Sequence, residues 1–246
     1  MDRFVFTAMT GAKHAMGQLA TTTHNMANLQ TPGFREMLST FRAVPVQGAS
    51  ADSRAFVVDS TPGADWTAGS VTPTGNPLDV AIQDQGLFAV RRADGQEAYT
   101  RAGKFHVDPQ GYLVTTAGHL VLDDQDQSIR MPVGSEEIVI QPNGAIRTKV
   151  AGVMSDSPVA RLKLVNPMPH SLERQADGLF ASTENLLPAE EVRVLQGSLE
   201  GSNVNAAQAM VQMIAQNRLF DLNIRLVQVA EQNAKSAGAL MSLSRV

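Results

Sequence analysis

Residues 3–28 read RFVFTAMTGAKHAMGQLATTTHNMAN and predict a long helix. Seven residues of this stretch follow a 3-4 spacing over more than three heptads: Val5, Ala8, Ala12, Ala15, Leu19, Thr22 and Met26. Such spacing is typical of a helix that packs against another helix. The opposite face carries Thr and Gln in place of the charges that a solvated face normally has. We therefore expect this helix to be buried on several sides.

The first helix should end before Thr31-Pro32-Gly33, because proline cannot continue a helix and glycine permits a turn. Two interpretations of the surrounding segment remain open. In one, Pro-Gly simply terminates the helix. In the other, Asn25 and Asn28, one turn apart, hydrogen-bond across a helix interface, and Phe34 anchors the following segment on a neighbour.

Residues 205–243 return to a helical period. One apolar row recurs every seven residues: Ala206, Met213, Phe220, Val227, Ala234 and Met241, with Met210 and Ile224 on the neighbouring row. A second apolar side consists of Leu219, Leu222, Leu226 and Val229. One partner helix cannot cover both sides, so this helix favours assembly with other chains.

The segment Gly197–Asn205 precedes the second helix. Ser202, Asn203 or Asn205 could cap its first turn, because each side-chain oxygen can accept from free backbone N–H groups. A cap joined to a linker is the simplest interpretation of these residues.

Residues 31–75 are rich in turn residues and lack a helical period, which predicts an extended connector with short strands at Phe41–Val46 and Ala55–Asp59. From residue 76 onward, short apolar runs alternate with turn dipeptides. The predicted strands are Leu78–Ile82, Leu87–Val90, Lys104–Val107, Leu113–Thr115, Leu120–Leu122, Glu137–Ile140, Arg161–Val165 and Leu179–Ala181. Short strands at about 8–12-residue spacing predict an all-β domain.

The predicted fold class is α+β. Long N- and C-terminal helices pair as a coiled coil and flank a central all-β domain. The expected domains are a terminal helical core (1–30 and 202–246), the extended connector (31–75), and the all-β domain with its return linker (76–201).

Composition excludes several classes of function. The 246 residues carry a net charge of −4, with +1 on residues 1–40 and +2 on residues 206–246, so the middle holds the acidic excess. An acidic chain with 5% aromatic residues does not suit nucleic acid. The absence of Cys rules out disulfides, iron–sulfur clusters, thiolate zinc and Cys nucleophiles. No apolar run approaches a membrane span, and no cleavable signal peptide is visible.

The sequence also lacks a credible catalytic or cofactor motif. His14 and His24 lie ten residues apart on one helix, too far apart to chelate a metal together, and His106, His119 and His170 fit no short ligand spacing. The acidic run Asp123–Asp126 lacks the spacing of a calcium loop and predicts an exposed turn. We expect no enzyme activity, no metal, no cofactor and no small-molecule substrate.

Several segments together resemble the bacterial flagellar basal-body rod family. The segments that carry the resemblance are Asn25–Arg35, Gly75–Ile82, Gly86–Val90, Tyr99–Phe105, Gly111–Thr115 and Gly197–Asn205, with Met210, Met213, Ile214, Arg218 and Phe220 in the last helix. Within the family, the length and the opening Met1–Met9 favour a proximal-rod subunit. The distal-rod subunit usually has Asn in place of Pro32 and Thr in place of Gly201, and Asn217–Asp221 departs from the pattern of relatives.

The resemblance implies a structural subunit of the proximal rod that assembles helically into a torque-transmitting shaft. Implied partners are copies of itself, other rod subunits and the flagellar type III export apparatus. The implied location is the periplasm-spanning rod, reached without a cleavable signal peptide. Alternatives are a distal-rod or hook-type subunit and, remotely, a secreted β-domain binder or enzyme with oligomerisation helices.

The resemblance and the helix patterns together give the expected assembly interface. It comprises Val5, Ala12, Leu19, Asn25, Met26, Asn28, Thr31, Gly33, Phe34, Leu199, Glu200, Ser202, Asn203, Val204, Asn205, Met210, Met213, Ile214, Arg218, Phe220, Ile224 and Val227. The apolar members are expected to supply packing. Asn25, Asn28, Ser202 and Asn203 are expected to set the register between subunits.

Overall fold

The computed structural model describes residues 2–45, 55–59, 63–150, 152–155, 157–168 and 171–243. The chain forms two compact units. The helical unit comprises Met1–Ala27, Met37–Gly63 and Asn205–Val246, and the β unit comprises Asn28–Glu36 and Ala64–Val204. The domain boundaries drawn from the sequence stay a prediction, and His170 and Val46 lie outside the described residues.

Both predicted helices are present, helix α1 at Asp2–Ala27 and helix α2 at Ala206–Leu243. Among the described residues, neither helix is long and apolar enough to cross a membrane. The strands of the chain are β1 Met37–Leu38, β2 Phe41–Pro45, β3 Ala55–Asp59, β4 Gly63–Ala64, β5 Val71–Pro73, β6 Val80–Gln83, β7 Leu87–Arg91, β8 Glu97–Thr100, β9 Phe105–Val107, β10 Leu113–Thr115, β11 Leu120–Val121, β12 Ser135–Ile140, β13 Ala145–Val150, β14 Val153–Met154, β15 Ala160–Arg161, β16 Leu164–Val165, β17 Leu172–Arg174, β18 Phe180–Ser182, β19 Arg193–Gln196 and β20 Ser198–Glu200. Two terminal helices around a β region are therefore an α+β arrangement.

The predicted coiled coil is wrong. The two helices contact each other, but the face of α1 that is buried carries Ala8, Ala12, Ala15 and Thr22. The facing row of α2 includes Gln216 and Asn223, while Ala206, Met210, Ala234 and Ile224 are exposed. A coiled coil needs large apolar side chains at its a and d positions. The helix pair therefore has a seam of small and polar residues, which we call the polar seam; the side chain of Met241 lies outside the described residues.

A hairpin completes the helical unit. Strands β2 and β3 pair antiparallel, from Phe41 opposite Asp59 to Pro45 opposite Ala55, where the sequence predicts short strands. The Phe41 ring meets the His14 ring edge-on, with centroids 5.3 Å apart. This contact joins the hairpin to α1 within the helical unit.

The β unit contains antiparallel sheets. Its main sheet has eight strands in the order β17-β18-β8-β7-β11-β10-β9, and β16 also pairs with β7. A second sheet has the order β12-β13-β14, with β15 also on β13. Two further pairs are β19 with β6 and β20 with β5. The main sheet and the second sheet therefore come from the region predicted to be all-β, whereas β5 lies in the predicted connector.

The predicted strands agree with these sheets in most places. Leu113–Thr115 is β10 as predicted, and Asn143-Gly144 makes the turn between β12 and β13 with a Gly144 φ of 80°. The run Arg161–Val165 divides into two strands because β15 pairs with β13 while β16 pairs with β7. The chain thus changes sheets within one apolar run, which the run itself does not reveal.

Separate clusters of buried apolar side chains form the core of the β unit. Its largest cluster surrounds Phe88, which is fully buried and meets the Phe105 ring edge-on at 5.1 Å. A second cluster packs around Tyr99 and Phe180, and the Trp66 ring lies 4.9 Å from the Phe180 ring. Fully burying one such side chain stabilises a fold by about 1.5–3 kcal/mol, so the β unit has a large apolar contribution of its own.

Candidate assembly surfaces

The end of α1 is fixed by a buried amide. Asn25 Nδ2 donates to the Met37 carbonyl at 3.0 Å, and the Met37 N–H donates to Asn25 Oδ1 at 2.9 Å. Both hydrogen bonds lie inside the helical unit, and Asn25 is buried. The Asn25 side chain therefore holds the returning chain against the helix that it terminates.

The polar seam brings the two helices close together. Gln216 Nε2 donates to Thr22 Oγ1 at 3.0 Å. A Cβ atom at Gly11 would lie 2.5 Å from Asn223 Oδ1, a distance that real Cβ atoms do not show. Glycine at position 11 therefore leaves room for the Asn223 amide in the seam.

The second apolar side of α2 is exposed, as its sequence pattern predicts. Leu219, Leu222, Leu226 and Val229 are 42–56% exposed and follow a 3-4-3 spacing, which places them on one face of the helix. We call these four residues the outer stripe. On α1, the large exposed apolar side chains are Phe4, Phe6, Met9 and Met16. Monomeric proteins rarely expose contiguous apolar patches of this kind without a partner.

A buried charge cluster lies in the β unit. Glu200 Oε1 is 2.8 Å from Arg35 Nη1, and Glu200 Oε2 is 2.5 Å from Arg101 Nε, with all three side chains at most 3% exposed. The Gly69 N–H also donates to Glu200 Oε1 at 2.9 Å. We call Glu200, Arg35 and Arg101 the clasp. Removing one partner of a buried, hydrogen-bonded charge group is strongly destabilising.

Arg101 also holds the backbone beside the clasp. Its guanidinium donates to the carbonyls of Ile82, Asp84 and Gly86 at 2.6–2.9 Å. Burial lowers the pKa of Arg35, and the Coulombic attraction of Glu200 opposes this shift. Two buried cations thus share the single carboxylate of Glu200.

The clasp joins the two ends of the β unit. The Gly33 N–H donates to the Glu200 carbonyl at 2.8 Å. Gly33 has a φ of 67°, and a Cβ there would lie 2.4 Å from the Arg101 carbonyl carbon, so the position requires glycine. Arg174 donates to the Arg35 carbonyl at 2.6 Å and lies over the Phe34 ring at 4.4 Å. The segments around residues 33 and 200, far apart in sequence, meet here.

Asn203 adds hydrogen bonds where the segments around residues 33 and 200 meet, a region that we call the joint. Its Oδ1 accepts from the Glu36 N–H at 2.7 Å, and its Nδ2 donates to the carbonyls of Asp65 and Thr67 at 3.0 and 3.1 Å. Burial raises the pKa of Glu36, and the negative charge of Asp65 adds to this shift. Asn203 therefore connects three chain segments within the β unit.

The N-cap of α2 is Asn205, one of the three residues that the sequence leaves open. The Gln208 N–H donates to Asn205 Oδ1 at 3.2 Å, which is the bond expected from an N-cap to the third helical residue. Ser202 instead accepts from the Val204 N–H at 3.3 Å. Ser202 and Asn203 thus belong to the joint and not to the helix cap.

The predicted interface residues fall into three classes of exposure. Buried are Ala12, Asn25, Gly33, Phe34, Glu200 and Val204. Partly buried are Val5, Leu19, Met26, Asn28, Leu199, Ser202, Asn203, Met213, Phe220 and Val227. Exposed are Thr31, Asn205, Met210, Ile214, Arg218 and Ile224.

Sequence reasoning missed the second arginine of the clasp and the polar half of the seam. Arg101 lies within the segment Tyr99–Phe105 that carries the family resemblance, which is the one signal that points to it. Gln216 and Asn223 look like solvent-facing residues in the sequence. Their roles follow only from the contacts with Thr22 and Gly11.

Metal chemistry has no candidate site in the described part of the chain. No group of three or more His, Asp or Glu residues there could hold a metal ion. In the acidic run, the Asp123 carboxylate accepts from the Gln125 and Gln127 N–H groups at 3.0 and 2.7 Å. This run therefore forms a turn that uses its first carboxylate internally.

Two family models match the chain. The model of the flagellar hook protein FlgE/F/G D1 domain matches residues 81–148, which lie in the β unit. The model of the flagellar basal body rod FlgEFG protein C-terminal region matches residues 195–240, which include Glu200 and the outer stripe. Together the two matches therefore include residues of the clasp and of the outer stripe.

Curated relatives match over nearly the full length. The flagellar basal-body rod protein FlgF of Escherichia coli K12 is 43% identical over 99% of this chain and 100% of its own length. FlgF of Salmonella typhimurium LT2 is 41% identical over the same shares. A flagellar basal-body rod protein FlgG, from Caulobacter vibrioides, is 29% identical over 96% of this chain and 98% of its own length.

Proposed function

This chain belongs to the flagellar basal-body rod protein family and is a structural subunit of the rod, and from this premise we propose that it occupies the proximal rod and assembles through the outer stripe of α2. The observation that carries the proposal is the exposure of Leu219, Leu222, Leu226 and Val229 at helical spacing. Fully burying a leucine contributes about 1.5–3 kcal/mol. Covering this half-exposed stripe with a neighbouring subunit therefore favours assembly.

The proposed contact is head-to-tail. A heterologous contact of this kind generates an open helical array when its rotation does not close. The apolar members of the predicted interface supply packing, and exposed polar members such as Thr31 and Arg218 contribute to register. In this arrangement the stacked helices form the shaft that carries torque.

The clasp supplies stiffness in this proposal. Glu200 ties the Gly33 segment to the Arg101 segment through bonds that are buried and therefore weakly screened by salt. Asn203 adds three further bonds at the same joint. A load entering the β unit through residues 31–35 or 198–203 thus meets a cross-linked joint and not two independent linkers.

The partners proposed are copies of this chain and other rod subunits, with delivery through the flagellar type III export apparatus to the periplasm-spanning rod. Family membership supports assembly with rod components. The resemblance supports the export route. The role proposed is structural, which membership of the rod family supports.

The test is a double charge substitution on the outer stripe, Leu222→Glu with Leu226→Glu, expressed in a strain that lacks the native gene. We expect basal bodies with rings but no completed rod in electron micrographs, because two buried carboxylates cannot be accommodated in an apolar contact. The matched control is Leu187→Glu, an exposed leucine of the β unit, which should build normal rods.

A second variant tests the packing role of the partly buried apolar row of α2. Phe220→Asp places a charge on the partly buried row of α2 and should block incorporation while the β unit keeps its native fold. Circular dichroism and Trp66 fluorescence of the purified chain report the fold. Normal rods from either helix variant would overturn the proposal.

A distal-rod or hook-type position is the competing assignment, and it is favoured by the FlgG relative that matches 96% of this chain. The FlgF relatives match at higher identity, which supports the proximal rod. A tagged copy localised along isolated rods by electron microscopy distinguishes these positions.

A further inference from the structure

The hairpin of strands β17 and β18 lies at one end of the main sheet and has little backbone pairing to it. The two strands form three residue pairs with each other. Among the described residues, one pair, Phe180 opposite Tyr99, joins β18 to β8, whereas β7 and β8 share four pairs. Backbone pairing therefore holds the hairpin together better than it holds the hairpin on the sheet. We call this hairpin, residues 172–182, the strap.

The chain leaves and rejoins the rest of the β unit at one place. Before the strap, β16 ends at Val165 and pairs with β7. After the strap, the Ala189 N–H donates to the Leu164 carbonyl at 2.8 Å. A segment whose two ends meet can open locally without displacing the strands on which it is based. Side-chain contacts must therefore keep the strap in its closed position.

Arg174 makes the main contact of this kind. Its guanidinium donates to the Arg35 carbonyl at 2.6 Å and lies 4.4 Å from the centre of the Phe34 ring and 5.6 Å from that of Phe180. A guanidinium within about 6 Å of an aromatic ring is attracted to it, and more strongly where water is excluded. Burial lowers the pKa of Arg174, which indicates such exclusion. Arg174 thus ties the strap to the segment that follows Gly33.

Asn203 of the joint holds the same peptide group from its other side. Its Oδ1 accepts from the Glu36 N–H at 2.7 Å, and this N–H belongs to the peptide group whose carbonyl accepts from Arg174. The Asn203 Nδ2 also bonds the carbonyls of the residues on either side of Trp66. The Trp66 ring lies 4.9 Å from the ring of Phe180. One side chain of the joint therefore positions both segments on which the strap rests.

The closed strap covers an apolar cluster and a strand edge. Phe180 and the partly buried Leu172 pack in a cluster with Leu87 and Tyr99, both 2% exposed. Strand β8 lies between β18 and β7 in the sheet, so opening the strap would leave one edge of β8 unpaired. Unpaired strand edges are templates for pairing with another chain. Closure of the strap thus protects the β unit from such pairing.

We propose that the strap opens and closes over the edge of β8 and that the joint controls this movement through the peptide group between Arg35 and Glu36. When the joint is formed, Asn203 fixes that peptide group and Arg174 holds the strap closed. When the joint is broken, the strap opens and uncovers β8 and the apolar cluster. This device goes beyond the proposed rod function, because all its parts lie within the β unit of one chain.

Amide hydrogen exchange of the purified full chain tests whether the strap opens by itself. We expect amides of β17 and β18 to exchange about tenfold faster than those of β7, through a local opening. Exchange in the strap should also depend less on denaturant concentration, because local opening exposes less surface than unfolding of the unit. Equal rates and equal denaturant dependence in the strap and β7 would overturn the proposal.

A substitution at Arg174 tests the link. Arg174→Met removes the guanidinium and should accelerate exchange in the strap about tenfold, while β12 and β13 stay protected as in the wild type. The matched control Arg92→Met breaks the strap's ion pair with Asp177, whose side chains are 15% and 35% exposed, and should accelerate exchange less than about threefold. Equal acceleration by the two variants would overturn the role of Arg174.

A milder variant covers the case in which Arg174→Met also removes the protection of β12 and β13. Arg174→Lys keeps the positive charge and a donor but lacks the planar group that lies over the rings. Acceleration confined to the strap in this variant would support the proposal, and wild-type rates would overturn it.

The coupling between the joint and the strap is measured with Asn203→Ala, which removes the bonds to the Glu36 N–H and to the carbonyls beside Trp66. In the wild-type background it should accelerate exchange in the strap about tenfold, with β12 and β13 still protected. In the Arg174→Met background it should add less than about a factor of two, because the link is already broken. Effects that multiply would show that the joint and the strap are independent and would overturn the proposal.

These measurements are separable from the test of the proposed rod function. Exchange is followed in the purified chain, and the outer-stripe variant Leu222→Glu with Leu226→Glu leaves the strap and the joint unaltered. Normal rods from that variant would overturn the assembly proposal and leave the coupling of the strap to the joint standing.

Discussion

The β unit buries its largest apolar side chains, whereas the helical unit exposes many of its own. Phe88 and Leu113 have no solvent-exposed surface, while Leu222 is 56% and Val211 is 67% exposed. The seam between the helices includes Ala, Thr, Gln and Asn side chains. The β unit therefore has extensive apolar burial within the single chain, whereas the helical unit leaves apolar surface that the proposed contact with a neighbouring subunit would cover.

The two units also differ in whether their ion pairs are buried or exposed. The buried ion pairs, around Glu200 and Lys163, are in the β unit, whereas the pair Lys235–Glu231 on α2 is exposed. Exposed pairs contribute little and buried ones are costly to break. Rigidity therefore resides in the β unit, and the helices keep an adaptable surface for assembly.

The largest expected effect tests the rigid side of this comparison. Glu200→Gln keeps the shape of the side chain but leaves Arg35 and Arg101 buried without a counter-charge. We expect the free energy of unfolding of the β unit to fall by about 3–5 kcal/mol. Guanidinium denaturation followed by Trp66 fluorescence measures this change.

The control for this prediction is Glu173→Gln, an exposed carboxylate of the same unit, which should change stability by less than about 0.5 kcal/mol. A loss below about 1 kcal/mol for Glu200→Gln would be typical of a surface pair. The clasp would then no longer distinguish the two units.

The next effect lies in the helical unit. Asn25→Ala removes two hydrogen bonds and leaves the Met37 N–H and carbonyl without their partners, which should cost about 1–3 kcal/mol. Amide hydrogen exchange at Met37 should accelerate, while exchange in β7 and β8 stays as in the wild type. Gln30→Ala, at an exposed position, is the control. Faster exchange throughout the β unit would contradict the independence of the two units.

The sequence predicts the apolar patterns better than the polar contacts. The heptads of α1 and the outer stripe follow from spacing alone, because a helix places residues at such spacing on one face. Arg101 and Glu200 are 99 residues apart, and no local pattern joins them. The recurrence of Met213, Phe220 and Val227 every seven residues predicts a coiled coil. In the structure, however, Gln216 and Asn223 occupy the neighbouring row of α2. The Gln216 side chain bonds to Thr22, and the Asn223 side chain lies close to Gly11.

A smaller effect concerns how closely the helices approach. Alanine is favoured over glycine inside a helix by about 1 kcal/mol, so Gly17→Ala, with open space around position 17, should stabilise the helical unit by about that amount. Gly11→Ala should lose this gain, because its Cβ would displace the Asn223 amide. Thermal unfolding followed by circular dichroism at 222 nm compares the two variants.

Removing the Asn223 amide should restore the stability gained from alanine at position 11. Gly11→Ala in an Asn223→Ala background should be more stable than Asn223→Ala alone by about 1 kcal/mol. Equal effects of alanine at positions 11 and 17 in the wild-type background would show that the seam is looser than its geometry indicates.

The smallest effect at neutral pH concerns Lys163, whose ammonium lies 2.8 Å from Glu97 and 2.5 Å from Asp126. Burial lowers the pKa of Lys163, but its hydrogen bonds and charge interactions with the two carboxylates outweigh burial, so the pKa is raised. The folded state thus binds this proton more tightly than the unfolded state. The resulting stabilisation is complete below the unfolded pKa of about 10.5 and is lost as pH rises through the folded value. Denaturation midpoints of the wild type should therefore fall more steeply above pH 10.5 than those of Lys163→Met, and parallel curves would show that the ion pairs leave the proton affinity of Lys163 unchanged.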